Sequence, residues 1–558
     1  MAHVEIASSE PKLLPELPDA LLLLVLSFLP AKEIPTAVAT VWGAECTRRG
    51  CGVCWGAECT RHCSAAVTLR LERTSEPFLA ALGCRRDTLS SDFWDSELLL
   101  KTAMYVDLMC ERQRASVAAG AAHGVCLRPG DGRAYSWGGQ ESSSHLLPRS
   151  LYTLHHLGLG QEVGACVRAP AKMVGLDGSD LRLMEVVAGR EHTLLLTADG
   201  VVHSCGENSW AQLGQGSGHS FFDNRAPCAV LSPVAQLADQ YIVQVAAGGN
   251  QSLALAATGE LWAFGAQRHP TSLNEMRMRR VDAAGNAFVD PNGERIRIVH
   301  VSAGESHAVA VGEDGSVFAW GRNQFCQCGL QLQPGPNAPH YTSLDWVGSP
   351  QRIRLPARVH IRHVSAGRHH TLLVCAAGAL YTCGRGESGR LGHGDTSDRK
   401  APAKVEALTA MRVVRAAAGG DHSVVLVDGG ALWSFGGGQV GQLGLGRRED
   451  HHVPTHVSAL AHERVLDAAA GEQFTLVVTE SGALFGFGWN AQGQLGLGTG
   501  QAASRLPERV DLPPAAAAAI GCWEMRPQWN VHFSFSVAFR RPSSEQAAWP
   551  VPEELEPD

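Results

Sequence analysis

No stretch of this 558-residue sequence is long and apolar enough to span a bilayer. The run that invites the question, residues 20–29 (ALLLLVLSFL), falls well short of the necessary length. Glu5, Glu10, Glu16 and Asp19 precede it in place of a basic leader, and Pro30-Ala31-Lys32-Glu33 makes a poor cleavage site. A secretory or membrane route is not expected, which points to a cytoplasmic or nuclear protein. Positive charge is also scarce. With 47 Lys and Arg against 55 Asp and Glu the net charge is −8, which argues against a surface built to hold nucleic-acid phosphates. Sixteen cysteines in a chain of this length do not make a disulfide framework. There is no nucleophile elbow, P-loop or HExxH motif. No catalytic residue, cofactor or metal is therefore expected.

What the sequence does contain is a repeat. Its clearest copy, residues 416–447, runs AAAGGDHSVVLVDGGALWSFGGGQVGQLGLGR. Two short apolar runs flank the turn Asp428-Gly429-Gly430, as in a β-hairpin, and a glycine-rich loop follows. The opening glycine recurs at Gly120, Gly189, Gly248, Gly304, Gly367, Gly419 and Gly471. Three residues later stand His123, His192, Gln251, His307, His370, His422 and Phe474. The second run closes as YSWG (135–138), HSCG (203–206), WAFG (262–265), FAWG (318–321), YTCG (381–384), WSFG (433–436) and FGFG (485–488). Large residues alternate there with small ones, so one strand face is packed and the other tightly approached. Cys205 and Cys383 fill the packed slot and read as small, reduced core residues. A period of roughly 50–60 residues suits a four-stranded propeller blade and exceeds a β-helix coil. The Gly-His and Trp-Asp signature of WD40 repeats is absent.

These units resemble the repeats of the regulator of chromosome condensation family, closely so at residues 186–214, 301–321, 364–394, 416–446 and 468–498. The resemblance implies a mainly β fold, a seven-bladed β-propeller. Light-sensing propellers of that family carry Gly-Trp-Arg-His-Thr. Here the slot after the glycine holds Arg190, Gly249, Glu305, Arg368, Gly420 and Glu472, never Trp. Family members that are themselves ubiquitin ligases add a long C-terminal catalytic domain, for which the residues after the repeats leave no room. The recurrent histidines lie at one slot per blade, around a ring and not converging on a point. They are expected to be structural, bonding neighbouring backbone.

The N-terminal run reads as a helix. Pro18 suits the first helical position and Asp19 the first turn. Leu21, Leu24, Val25, Phe28 and Leu29 form one apolar stripe. A short helix apolar on nearly every side needs a partner; its own propeller is the plain choice. Residues 17–34, LPDALLLLVLSFLPAKEI, also resemble the opening of an F-box, and Asp92-Phe93-Trp94 resembles the tryptophan element near that motif's end. The resemblance implies a helical segment preceding the propeller that docks on the Skp-type adaptor of a cullin–RING ubiquitin ligase. Its adaptor-binding residues would be Leu17, Pro18, Leu21, Leu24, Val25, Phe28, Leu29 and Ile34.

The likeness fades where Trp42–Arg48 is copied at Trp55–Arg61. Cys46, Cys51, Cys54, Cys59, His62 and Cys63 there invite a zinc reading, but half the cysteines come from the copied block, so duplication is preferred to a metal site. The expected organisation is a flexible N-terminus (1–12), the F-box-like segment (13–64), a helical bridge (65–115), the propeller (116–541) and a disordered acidic, Pro-rich tail (542–558). Gly521 lies one period beyond Gly471, so residues 519–539 are expected to supply strands that finish the ring.

Departures from the repeat mark where binding would sit. The first unit carries an insertion at 140–154. The third replaces its Gln-Leu-Gly loop with residues 268–298, which contain Arg277, Arg279 and Arg280 and a turn at Asp290-Pro291-Asn292-Gly293. The fourth makes a proline-rich excursion to about Pro356. The three arginines are the candidate target-binding residues, suited to an acidic protein. The sequence thus points to a substrate-recognition subunit of a Skp–cullin–F-box ligase, with an unnamed protein target. A guanine-nucleotide exchange factor or other propeller that binds a small GTPase is the alternative, and a non-catalytic scaffold the third reading.

Overall fold

The computed structural model describes residues 117–128, 133–139, 155–160, 166–176, 183–215, 227–266, 278–282, 287–331 and 346–513. They form seven antiparallel sheets, each of four strands consecutive in the chain. We number these blades 1 (117–172), 2 (183–233), 3 (242–280), 4 (298–352), 5 (361–404), 6 (413–456) and 7 (465–510). Blade 6 shows the pattern: strands Val413–Ala418, His422–Val427, Leu432–Gly436 and His451–His456, with His422 opposite Gly436 and Gly436 opposite His451. The first strand of each blade packs on the first strands of its neighbours, and blade 7 closes on blade 1. The fold is therefore the seven-bladed propeller implied by the repeats.

The strand pattern has a simple cause. The second strands, such as HTLLLT and HSVVLV, are buried at every position because blades stack on both faces. In the third strand the large residue (Phe435, or Cys205 and Cys383 in its place) is fully buried. The small residue beside it is backed by the folded-over loop: Ser204 donates to the Leu213 carbonyl at 2.8 Å, Thr382 to Leu391 at 2.9 Å and Ser434 to Leu443 at 2.7 Å. Apolar clusters occupy the seams between blades, one joining Trp137 of blade 1 to Phe474 and Leu476 of blade 7. Burial pushes the Cys383 thiol up to about 12, and Cys205 upward as well, as suits unreactive core thiols.

Among the described residues blade 7 ends with the strand Ala503–Val510, and blades 7 and 1 meet directly; the expected closing strands at 519–539 lie outside the described residues. The Trp137 indole donates to the Gln494 carbonyl at 2.8 Å, and Gly498 N donates to the Arg168 carbonyl at 2.8 Å. All four strands of blade 1 likewise come from one continuous stretch, so no late strand is needed there. Residues 519–539 themselves, the F-box-like segment with Leu17 to Ile34, the cysteine block, the 140–154 insertion and the tail lie outside the described residues. Among the described residues no helix is long and apolar enough to cross a membrane.

Candidate interaction surfaces on the ring

The recurrent histidine begins the second strand of its blade and is fully buried. Its Nε2 does not reach neighbouring backbone, as the sequence reading had it, but a hydroxyl of the next blade. His123 meets Thr193 Oγ1 at 3.2 Å; His192 meets Ser252, His307 Thr371, His370 Ser423 and His422 Thr475, each at 2.9 Å. Each hydroxyl in turn donates to a loop carbonyl of the histidine's own blade: His156, Gln212, Gln327, Arg390 and Gln442, at 2.6–2.8 Å. A hydroxyl has one proton to give, so it accepts from the ring, which fixes the neutral tautomer with hydrogen on Nε2. Blade n thus clips a hydroxyl of blade n+1 between a side chain and a loop.

Nδ1 has no partner and lies over the repeat's first glycine; a Cβ at Gly189 would stand 2.1 Å from the His192 ring. Burial holds these imidazoles neutral, pushing His192 and His307 down to about 3 and His422 to about 4, with His123 and His370 also well below the usual range. A neutral ring already engaged through Nε2 is poorly placed for acid–base work. Among the described residues no group of three or more His, Cys, Asp or Glu could hold a metal ion.

Two seams lack the clip. Blade 3 has no Gln-Leu-Gly loop, and there Gln251 replaces histidine and Ala308 the hydroxyl; Gln251 Nε2 bonds the Gly304 and His307 carbonyls instead, both at 2.9 Å. At the 7/1 seam Phe474 replaces histidine, Gly124 the hydroxyl, and the Trp137 indole takes the loop carbonyl. The signal was present in the sequence: wherever the slot holds His, the residue after the next unit's slot (His, Gln or Phe) is Ser or Thr.

The loops between first and second strands, and between third and fourth, share one face. At its centre Arg190 pairs with Glu305 at 3.5 Å across blade 3, and Arg368 with Glu472 across blade 6. Both spanned blades carry glycine at that slot. A Cβ at Gly249 would stand 2.0 Å from the Glu305 carbonyl oxygen, and one at Gly420 2.3 Å from that of Glu472. Further out, Arg385 lies 4.6 Å over the Phe325 ring, itself 5.0 Å from His369, and pairs with Glu387 at 2.6 Å. Buried Arg390 reaches Asp421 at 2.7 Å. Burial, then Arg368, Arg390, Arg385 and Arg322, press His369 down to about 4. The charges named here are spent on one another, while further out Arg447 and Arg448 of the blade 6 loop are exposed.

The candidate target-binding arginines separate. Arg277 lies outside the described residues. Arg279 and Arg280 form the two-residue outer strand of blade 3, pairing with Ala263 and Trp262. Arg279 is exposed, but Arg280 pairs with Glu260 at 2.6 Å, so its charge is neutralised. The turn at Asp290–Gly293 forms as read, Gly293 N donating to the Asp290 carbonyl at 3.1 Å. The segment also supplies Phe288, buried edge-on against Phe318 at 5.2 Å, so part of this insertion is core.

Residues 153–523 match the model of the RCC1-like domain. The chain is 30% identical over 384 residues to the ultraviolet-B receptor UVR8 of Arabidopsis thaliana, a match covering 68% of this chain and 78% of that one. It is 35% identical over 321 residues to the probable E3 ubiquitin-protein ligase HERC3 of Homo sapiens, covering 57% of this chain and only 28% of HERC3. Among solved structures, Prp20p of Saccharomyces cerevisiae, described with its binding to Gsp1p and histones, aligns at 25% identity and a TM-score of 0.50, covering 65% of this chain and 81% of that one. This chain belongs to the RCC1-like domain family.

Proposed function

We propose that this protein is a substrate-recognition subunit of a cullin–RING ubiquitin ligase. Its N-terminal segment would dock on a Skp-type adaptor through Leu17, Pro18, Leu21, Leu24, Val25, Phe28, Leu29 and Ile34, while the propeller presents a target protein. The observation that carries the reading is the F-box-like stretch ahead of a ring whose recurrent histidines are consumed in holding blades together. A rigid ring of this kind suits binding and not turnover. Similarity to part of HERC3 is consistent with ligase work, though the chain matches little of that protein's length. Light sensing is not proposed, because the slots that would carry Trp hold Arg, Glu and Gly.

Similarity to Prp20p, which binds Gsp1p, favours a second reading: a guanine-nucleotide exchange factor or GTPase-binding propeller. Affinity purification of the full chain separates the two. A Skp-type adaptor should co-purify and be lost in the double variant Leu24→Asp/Phe28→Asp, with propeller melting unchanged. Absence of any adaptor, together with faster nucleotide release from a small GTPase, would establish the second reading in place of the first.

A further inference from the structure

The face opposite the long loops holds the turns between second and third strands and the connections between blades. Most described connections there follow one plan. After Val234, Val405 or Val457 a short 3₁₀ turn (Ala235–Leu237, Glu406–Leu408, Ser458–Leu460) tucks a leucine inward. Blade 4 breaks the plan on both sides. Ile353 N donates to the Val317 carbonyl at 2.8 Å, as Val405 N does to Leu380 at 2.9 Å, so the two connections start in register. No 3₁₀ turn follows. The chain runs Arg354-Leu355-Pro356-Ala357-Arg358, with Arg354 and Arg358 exposed. On the other side, the connection from blade 3 exposes Arg295.

These segments are contiguous. The blade 4 turn lies between them: Glu313 N donates to the Arg297 carbonyl at 2.9 Å, and Ile361 N to the Gly315 carbonyl at 3.0 Å. Carboxylates in the area are Asp290, whose oxygens cap its own turn at Asn292 and Glu294, Glu294, Glu313, and Asp314, which pairs with Arg352 at 3.4 Å. Arg295, Arg354 and Arg358 pair with no described carboxylate. This contrasts with the centre of the loop face, where Arg368, Arg385 and Arg390 are all paired. Arg358 also sits at φ 63°, a left-handed conformation that glycine or asparagine would take at lower cost. An arginine thus stands where the backbone disfavours it.

We infer that the turn face of blade 4, through Arg295, Arg354 and Arg358, docks a carboxylate-rich segment of a partner protein. Guanidinium groups match carboxylates with paired hydrogen bonds, and three unpaired guanidiniums set among the exposed Glu294, Glu313 and Asp314 select a short acidic stretch that can pass between those carboxylates over a long polyanion. The inference rests on the propeller being the target-binding part, and its test involves no adaptor, so it can fail separately from the ligase reading.

Fluorescence anisotropy of a labelled polyglutamate peptide against the full chain, across a salt series, tests it. Binding should weaken with salt and drop about tenfold or more in R295E/R354E/R358E and in its neutral counterpart R295Q/R354Q/R358Q. Reversal of the paired Arg412 and Arg464 on the same face should leave it unchanged. Arg358→Gly should weaken binding while holding or raising the melting temperature. Equal binding by the neutral triple variant, or tighter salt-dependent binding of a single-stranded oligonucleotide to the same three arginines, would overturn the inference.

Discussion

Blades 5 to 7 and blades 3 to 4 solve one problem by different means. In the first arc the same clip joins 5 to 6 and 6 to 7, and the connections between blades are short. In the second arc the 3/4 seam has neither clip histidine nor clip hydroxyl. It is held by Gln251, by Gln244, whose amide both donates to the Val301 carbonyl and accepts from its N–H at 3.0 Å, and by Phe288 from the inserted segment. The difference shows that a repeat device can be lost as a unit when other groups take over both its hydrogen bonds and its volume. Histidine, hydroxyl and loop carbonyl disappear together at the 3/4 seam because any one left behind would be a buried, unsatisfied polar group.

Acid should separate the arcs most strongly. The unfolded chain takes up protons on histidine near pH 6.5, whereas His192, His307 and His422 resist until about 3, 3 and 4. Between those values the unfolded state binds more protons. The stabilisation is therefore complete above pH 6.5 and lost as pH falls toward 3–4, at about 1.4 kcal/mol per pH unit for each clip. Melting temperature should fall steeply from pH 6 to pH 4, and less steeply in His422→Gln. Amide exchange should rise at the 5/6 and 6/7 seams before the 3/4 seam; uniform rise would remove the distinction.

The next largest effect belongs to the other arc. Phe288→Ala should cost about 3–5 kcal/mol, read as a lowered denaturation midpoint, because it empties a packed site between blades. A loss below about 1 kcal/mol would make the insertion a mere surface loop. Smaller again is the clip itself. Thr475→Val leaves the His422 donor and the Gln442 carbonyl unmet and should cost about 1–3 kcal/mol. In a double-mutant cycle with His422→Ala the two losses should fall well short of additive, while Thr475→Val with Phe288→Ala should add.

The repeat glycines, the histidine slot and the blade count were legible because each recurs within a unit. The clip was harder to see, since its halves lie in different units. His307 gains meaning only beside Thr371, and Gln251 only beside Ala308. Strand ownership is hard to read for a related reason. A glycine one period beyond Gly471 keeps the spacing, but spacing cannot tell that blade 7 already owns four strands. Nor could sequence show which arginines are spent: Arg280 meets Glu260 only because outer and third strands pair in that register. The F-box-like segment is legible in sequence alone.

The 7/1 seam has a consequence for how the ring stays shut. The seams joining blades consecutive in the chain are tethered by a covalent connection, so a seam that opens there faces its partner at high effective concentration. Blades 7 and 1 are joined by no such tether, and reclosure must bring together the two ends of the whole arc. That seam is the one where Phe474, Gly124 and Trp137 replace the protonatable clip. The latch of the ring thus lacks the imidazole clip that loosens the hinges as pH falls, and it carries a carboxyl instead: Asp467 of blade 7, raised above the usual carboxylate range by burial, takes the N–H of Val117 in blade 1.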